Sequence, residues 1–304
     1  MKRDFLSVSD FSKEEVIEII RYGIELKRNK FKDRTISGKS IGLIFMKQST
    51  RTRLSFEVGV YQMGGQPIYI SGSSTQMSRG EDIKDTARVM SRYLDGIVIR
   101  TFSHKEVQDL ARYSSIPVIN ALTDYLHPCQ VMADLMTMYE RFGTLKGKKV
   151  TYIGDGNNMA NTWLIACGLM GIDISIATPE GYEPNGKAVL EAVELAKKSG
   201  AKIELTIDPL EAARSADVLY TDVWVSMGQE GDKDKKKVFE GYSINEKVLS
   251  EAKDRCIVMH CLPAHKGEEI TEDIFERYSD IIFDQAENRL HIQKAIMSFL
   301  FRNL

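Results

Sequence analysis

No apolar run in this chain approaches the roughly 20 residues that a membrane-spanning helix needs. Neither sign of charge dominates: 41 Lys and Arg stand against 43 Asp and Glu, a net charge of -2. The first absence excludes a helical membrane span. The second removes the basic excess that a general nucleic-acid partner calls for, so any positive site has to be local. The four cysteines, Cys129, Cys167, Cys256 and Cys261, lack the paired spacing of a secreted disulfide framework. The opening "MKRDFLSVSDFSKEEVIEII" has no apolar leader stretch, and a cytoplasmic location is the expectation. Internal repeats and low-complexity tracts are also missing. The 304 residues, 43% hydrophobic and 28% charged, have a globular composition and suffice for two domains with separate cores.

Short β-branched runs alternate with helical patterns, the signature of parallel sheets built from βαβ units. Strands are expected near 41–46, 67–70, 95–100, 116–121, 149–154, 172–177, 202–207, 217–221, 256–260 and 280–284, with helices in the gaps. Ser12 with Glu15, Ser103 with Glu106 and Asp208 with Glu211 have capping-box spacing, and Gly64, Gly143 and Gly200 stand where helices would stop. "GTLKGKKV" (143–150) is the best domain junction. The mixed-charge run "GQEGDKDKKK" (228–237) reads as a solvated loop.

"STRTR" (49–53) carries five consecutive donors from a strand into a helix. Arg53 has Glu57 four residues on, and an ion pair explains it. Ser49, Thr50, Arg51 and Thr52 sit where unpaired helix N–H groups and the positive end of the dipole make an anion site, onto which Arg51 can fork. A plain N-cap would also use Ser49 or Thr50, but gives no reason for Arg51.

Other unusual polar residues fall at the carboxyl ends of expected strands, where open α/β sheets bind ligands. These are Arg100, "HPCQ" (127–130), Asn157 with Asn158, Asp222 followed by "VSMG" (225–228), "HCLPAH" (260–265) and "ENR" (287–289). Each has a plainer reading. His127 fits an ordinary turn, although His127 and Gln130 at a helix start can also aim two donors at one oxygen. Asp222 fits a turn cap, Cys261 an inert thiol and Asn288-Arg289 a helix entrance followed by a surface residue. His260, Cys261 and His265 lack a fourth ligand, so no metal is expected. "GDGNNMANT" (154–162) has Met159 where a dinucleotide fingerprint wants its third glycine. The Met-rich "CQVMADLMTMYERF" has the period of core packing.

"STRTR", "HPCQ", "DVWVSMG", "HCLPAH" and "ENRLHIQKA" resemble the marker motifs of the aspartate/ornithine carbamoyltransferase family, in family order and over nearly the whole chain; the last three favour its ornithine branch. The resemblance implies an α/β fold of two domains, each a mostly parallel sheet flanked by helices, with the active site in the cleft at the carboxyl ends of the strands. Residues 1–145, completed by the C-terminal helix 287–304, would bind carbamoyl phosphate, and residues 146–286 would bind L-ornithine. It implies that Ser49, Thr50, Arg51, Thr52 and Arg100 cradle the phosphate. Gln76 would reach into a neighbouring subunit's site, making the unit a homotrimer or a larger assembly of trimers. Thr52, Arg100, His127, Pro128, Cys129, Gln130, Cys261, Leu262 through its backbone, and Arg289 would surround the carbamoyl group. Asn158, Asp222, Ser226 and Met227 would hold ornithine. Arg100, His127, Cys261 and Asp222 are the expected catalytic set, with no cofactor.

Other readings stand beside this. Aspartate as second substrate would call for arginine where "HCLP" stands. Putrescine and N-acetylornithine lack the free α-amino group that Asp222 and "SMG" suit. A two-domain binding protein or a nicotinamide dehydrogenase would share the fold alone.

Overall fold

The computed structural model describes residues 2–72, 80–225 and 235–302. The chain divides into two compact units, one made of residues 1–136 with 287–304 and the other of residues 137–286.

In the first unit the runs "SIGLIF", "QPIYIS", "GIVIR" and "VINAL" become β1 (Ser40–Phe45), β2 (Gln66–Ser71), β3 (Gly96–Arg100) and β4 (Val118–Leu122). They form a parallel sheet in the order β2-β1-β3-β4. Its helices are α1 (Lys13–Arg28), α2 (Arg51–Gln62), α3 (Ile83–Tyr93), α4 (His104–Tyr113) and the start of α5 (Pro128–Phe142). Ala87 of α3 and Val107, Leu110 and Ala111 of α4 pack with Ile44, Ile97, Ile99 and Val118 of the strands. The chain runs outward from β1 to β2, then resumes on the other side of β1 with β3. The gap between β1 and β3 is therefore the point where strand order reverses.

The second unit repeats this plan. β5 (Lys149–Ile153), β6 (Asp173–Ala177), β7 (Ile203–Thr206), β8 (Val218–Thr221) and β9 (Ile257–His260) are parallel in the order β7-β6-β5-β8-β9, with the reversal between β5 and β8. Between and after them come α6 (Asn158–Met170), α7 (Gly186–Ser199), α8 (Pro209–Ala213), α9 (Lys235–Val238), α10 (Glu246–Leu249), α11 (Glu272–Arg277) and α12 (Ser279–Phe301). Trp163 of α6 is fully buried with its ring edge-on to Tyr220 of β8, centroids 5.3 Å apart. At Gly168 a Cβ would lie 2.5 Å from the Ala192 carbonyl oxygen, so the missing side chain is what lets α6 and α7 touch.

Nine of the ten expected strands are present, within about two residues at each end. The tenth, 280–284, is a correction: those residues lie in α12. Three apolar residues, Ile281 to Phe283, are too few to separate period 2 from period 3.6. The buried positions that follow, Ile282, Gln285, Asn288, Arg289 and Ile292, recur at helical spacing, while Phe283 is exposed. "ENR" consequently sits inside a helix and neither follows a strand nor opens a helix.

Of the three capping boxes only Ser12 with Glu15 closes in both directions. Ser103 makes no cap bond, and Glu106 instead accepts from the Thr101 hydroxyl at 2.6 Å. Asp208 caps α8, but Glu211 turns to Thr206. Gly64, Gly143 and Gly200 do end α2, α5 and α7, all at positive φ.

Candidate functional site

The first group assembles at the β1/β3 reversal. Thr50 occupies the N-cap position of α2 but has helical φ and ψ, and its side chain makes no cap bond. The first-turn N–H groups of a 12-residue helix thus keep no hydroxyl cap, the arrangement that suits an anion. Arg100 ends β3 at a register shift against β4. Its Nη1 reaches the Ser49 and Thr52 hydroxyls at 3.4 and 3.3 Å. Arg289 arrives from α12 and donates to the same Thr52 hydroxyl at 2.5 Å. Arg51, at the start of α2, is exposed.

Arg100 and Arg289 are each under 10% exposed. Burial first, then the neighbouring charges of Arg289 and Arg51, lower the Arg100 pKa to about 10. Like charges gathered out of water are unfavourable unless an anion joins them. The Nε of Arg100 is buried without a hydrogen-bond partner among the described residues, consistent with a site shaped for a ligand.

His127 precedes Pro128, the first residue of α5, where a missing N–H is harmless. The Thr123 hydroxyl takes the N–H groups of Tyr125 and Leu126 and so sets the turn that delivers His127. Burial, then Arg289 and Arg100, push the His127 pKa well below its ordinary value. The ring is therefore neutral at pH 7, able to donate from one nitrogen without carrying a charge. Gln130 donates from Nε2 to the buried Asp134 at 2.8 Å, and its Oε1 is buried without a hydrogen-bond partner among the described residues. The sequence suggested a second donor at Gln130; the structure fixes its amide so that an acceptor is left to be used. Cys129 turns away: its thiol donates to the Asn120 carbonyl at 3.4 Å, and burial raises its pKa to about 12.

The second group assembles at the β5/β8 reversal. Asp222 follows β8 and is 8% exposed. One carboxylate oxygen accepts the Cys261 thiol at 2.9 Å and the Val223 N–H at 2.8 Å; the other accepts the Asn157 amide at 2.9 Å. Asn157 also caps α6 by accepting the Met159 N–H at 2.8 Å, so one side chain ties the helix start to the acid. Asn158 is the first residue of α6. The glycine of "GDGNN" serves packing: a Cβ on Gly156 would lie 2.3 to 2.4 Å from the backbone of 182–184.

Cys261 and Leu262 follow β9. Leu262 has φ 59°, a left-handed conformation that costs a non-glycine residue about 1–2 kcal/mol. Something in the surroundings has to hold it there.

Gln76, Ser226 and Met227 lie outside the described residues. Two residues do more than their sequence context shows. Lys235, assigned above to a solvated loop, is 4% exposed and pairs with Asp155 at 2.8 Å beneath the rings of Tyr182 and Phe239. Three adjacent lysines gave no hint that one points inward, since α9 is too short for its period to be read. Asn157 was noticed only as the neighbour of Asn158; its place before a helix, a preferred N-cap position, was the usable signal.

Among the described residues, His265, Glu268 and Glu269 bring possible metal donors within 4.8 Å of one another. These donors already serve the protein. Glu268 meets Lys236 at 2.6 Å, and Glu269 Oε1 accepts from His260 Nε2 and the His265 N–H.

The histidines set a pH dependence. Burial chiefly lowers His291 of α12 to about 4, despite the opposing pull of Glu287 at 3.2 Å. Between pH 6.5 and 4 the unfolded chain binds protons that folded His127 and His291 refuse, so the contribution of these two histidines is full above pH 6.5 and is lost on acidification. The slope is at most about 1.4 kcal/mol per pH unit for each histidine. Urea unfolding followed from pH 7.5 to 4.5 should show this decline, and His291→Gln should flatten it; a curve unchanged in that variant would contradict the assignment.

Two family models match the chain. Aspartate/ornithine carbamoyltransferase, carbamoyl-P binding domain, matches residues 3–140. Aspartate/ornithine carbamoyltransferase, Asp/Orn binding domain, matches residues 146–300. The ornithine carbamoyltransferase of Aquifex aeolicus (strain VF5) is 50% identical over 304 residues, 99% of each chain. Among solved structures, ornithine carbamoyltransferase from Pyrococcus furiosus superposes with TM-score 0.95 at 45% identity, over 100% of this chain and 98% of that one. Anabolic ornithine carbamoyltransferase from Campylobacter jejuni superposes with TM-score 0.94 at 42% identity, over 99% of this chain and 100% of that one.

Proposed function

The chain belongs to the aspartate/ornithine carbamoyltransferase family, and on that footing we propose that residues 1–145 with the helix 287–304 bind carbamoyl phosphate and residues 146–286 bind L-ornithine. The reaction moves the carbamoyl group from carbamoyl phosphate to the δ-amine of L-ornithine, giving L-citrulline and phosphate. Ser49, Thr50, Arg51, Thr52 and Arg100 take the phosphate oxygens. Arg100, Arg289 and His127 donate to the carbonyl oxygen, and Gln130 Oε1 accepts from the carbamoyl –NH2. Asp222 takes the α-ammonium of ornithine, with Asn158, Ser226 and Met227 around the amino-acid end. Gln76 completes a neighbouring subunit's site.

The amine attacks the carbonyl carbon, a tetrahedral oxyanion forms, and the C–O bond to phosphate breaks. Fixed cationic donors stabilise that oxyanion and the leaving phosphate without reorganising, and one such donor is worth about 3–4 kcal/mol. No covalent nucleophile is required. A lysine-like amine of pKa about 10.4 costs roughly 4–5 kcal/mol to present neutral at pH 7. Desolvation of the amine beside the Cys261 thiol, itself held on Asp222, lowers that cost.

The observation that carries the choice of amine is the group on Asp222. An acid with a thiol and a carboxamide around it suits an ammonium, whereas aspartate would call for a cation to meet its second carboxylate, and the buried Lys235 is already committed to Asp155.

The unit is a homotrimer. Leu54, Val58 and Tyr61 form one exposed apolar face of α2 beside exposed Ile68 and Tyr69 on the edge strand β2, a surface apt for subunit contact. All four cysteines are free, which fits a reducing cytoplasm. The site serves citrulline formation for arginine synthesis, or the reverse direction equally.

A ureido-product assay with carbamoyl phosphate and, separately, ornithine, aspartate, putrescine and N-acetylornithine tests this reading. Citrulline from ornithine alone, reduced at least about 10²-fold in Arg51→Ala, is the expected result. Preference for another amine would overturn the role of Asp222, and no product from any amine would overturn the reaction.

A further inference from the structure

We infer that Glu269 and His260 are positioning residues that hold the Cys261–Leu262 turn in its working shape, a role that rests on the reading of Cys261 and Leu262 given above. His260 ends β9 with both ring nitrogens engaged. Nδ1 receives the backbone N–H of Leu262 at 2.8 Å. A backbone amide only donates, so Nδ1 carries a lone pair and the ring proton is on Nε2. That Nε2–H points at Glu269 Oε1, 3.0 Å away, and both side chains are fully buried. Glu269 Oε1 also takes the N–H of His265 at 2.6 Å. The His260 N–H is in turn held by Gln285 Oε1 at 3.0 Å.

Cys261 is thereby bracketed. The Met259–His260 peptide is fixed through Gln285 and the Cys261–Leu262 peptide through the imidazole. Leu262, at φ 59°, is kept in the left-handed region by a bond from its own N–H to the ring two residues back. The consequence is directional: with that N–H tied inward, the Cys261–Leu262 peptide is fixed and the thiol of Cys261 is held on Asp222 at 2.9 Å. A pair of apolar side chains would fill the same volume without removing an acid and an imidazole from water. The polar pair does what such a filling does not, since it dictates the tautomer and through it the direction of one peptide.

His260→Asn and His260→Gln separate this role from bulk stability. Asn places an oxygen near the Nδ1 position and keeps an acceptor for the Leu262 N–H; Gln reaches the Nε2 position, keeps the bond to Glu269 and abandons Leu262. Both should lower Tm. The expected result is that His260→Asn retains kcat within about threefold and His260→Gln loses about 30- to 100-fold, as for a reacting group displaced by about an ångström, with the KM for carbamoyl phosphate unchanged in both. Equal kcat in the two variants, or kcat that tracks Tm alone, would overturn the inference. Imidazole 15N NMR of the histidine-labelled wild type reads the tautomer without substrate: a protonated Nε2 and bare Nδ1 at His260 is expected, and a proton on Nδ1 would overturn the inference whatever the activities. Citrulline formation by the wild type is measured in the same series. Loss confined to the variants bears on the positioning pair, whereas a wild type that makes no citrulline overturns the reaction and this inference with it.

Discussion

Arg100→Met is expected to lower carbamoyl transfer about 10²- to 10³-fold, as removal of a preorganised oxyanion donor does, and at the same time to leave the ligand-free protein more stable than the wild type. Arg100 is buried, pressed by Arg289 and Arg51, and held in part by two long bonds to Ser49 and Thr52. On the proposed assignment its charge is unfavourable until an anion joins it. Replacing buried ionic groups by apolar ones of similar volume stabilises other proteins by about 1–4 kcal/mol, and each kcal/mol moves Tm by about 2–4 °C in a unit of this size. A rise of a few degrees in phosphate-free buffer is therefore expected. Adding phosphate should raise the wild-type Tm by mass action and move the variant far less. Thermal melts with and without phosphate, beside kcat/KM, check both halves. A variant that melts well below the wild type in phosphate-free buffer would show that Arg100 serves the fold, and the account of a site strained by its own cations would fail.

The second large effect is at Asp222. Asp222→Ala should reduce kcat/KM for ornithine about 10²- to 10³-fold, equivalent to about 2.7–4 kcal/mol, while the Kd for carbamoyl phosphate stays within about twofold because no residue assigned to that ligand's phosphate touches Asp222. The carboxylate takes the Asn157 amide, the Cys261 thiol and the Val223 N–H at once. Truncating it removes the proposed partner of the α-ammonium and leaves three half-buried donors to find other acceptors. Asp222→Asn separates the two contributions. It keeps the shape and one acceptor but loses the charge, so structural integrity should recover while ornithine use stays low. Calorimetric titration of carbamoyl phosphate and steady-state kinetics with ornithine decide the matter. Equal weakening of both ligands would mean that Asp222 maintains the unit and does not select the amine.

Much of this site was legible one residue at a time. Short alternating runs and helix stops marked nine strands, and the donors of "STRTR", the end of "GIVIR" and Asp222 could be placed at strand ends because chain order alone says which end comes last. Arg53 and Glu57 were legible too, since a pair four apart on a helix needs no knowledge of the rest; they meet at 2.8 Å. What escaped depended on partners far along the chain. Arg289 was placed after a strand that does not exist, yet it reaches Thr52 across 237 residues. Lys235 looked like one solvated lysine among three until Asp155, 80 residues away, was found against it. Glu269 carried no signal at all, since nothing in "HKGEEI" separates the glutamate that turns onto His260 from the one that turns onto Lys236.

By itself the sequence determined the α/β class, the parallel strands, the family motifs and the chemical type of each donor, because those follow from local periodicity and from residue identity. Strand order belonged to the tertiary structure. Only pairing β1 between β2 and β3, and β5 between β6 and β8, puts Ser49, Thr52 and Arg100 at one reversal and Asn157 and Asp222 at the other. Likewise, which buried charges stand alone, which are paired and which way Gln130 and His260 point were decided by neighbours brought close in space. The physical reason is range: periodicity reports on a few turns of chain, whereas burial, desolvation and hydrogen-bond direction are set by whatever packs within a few ångströms.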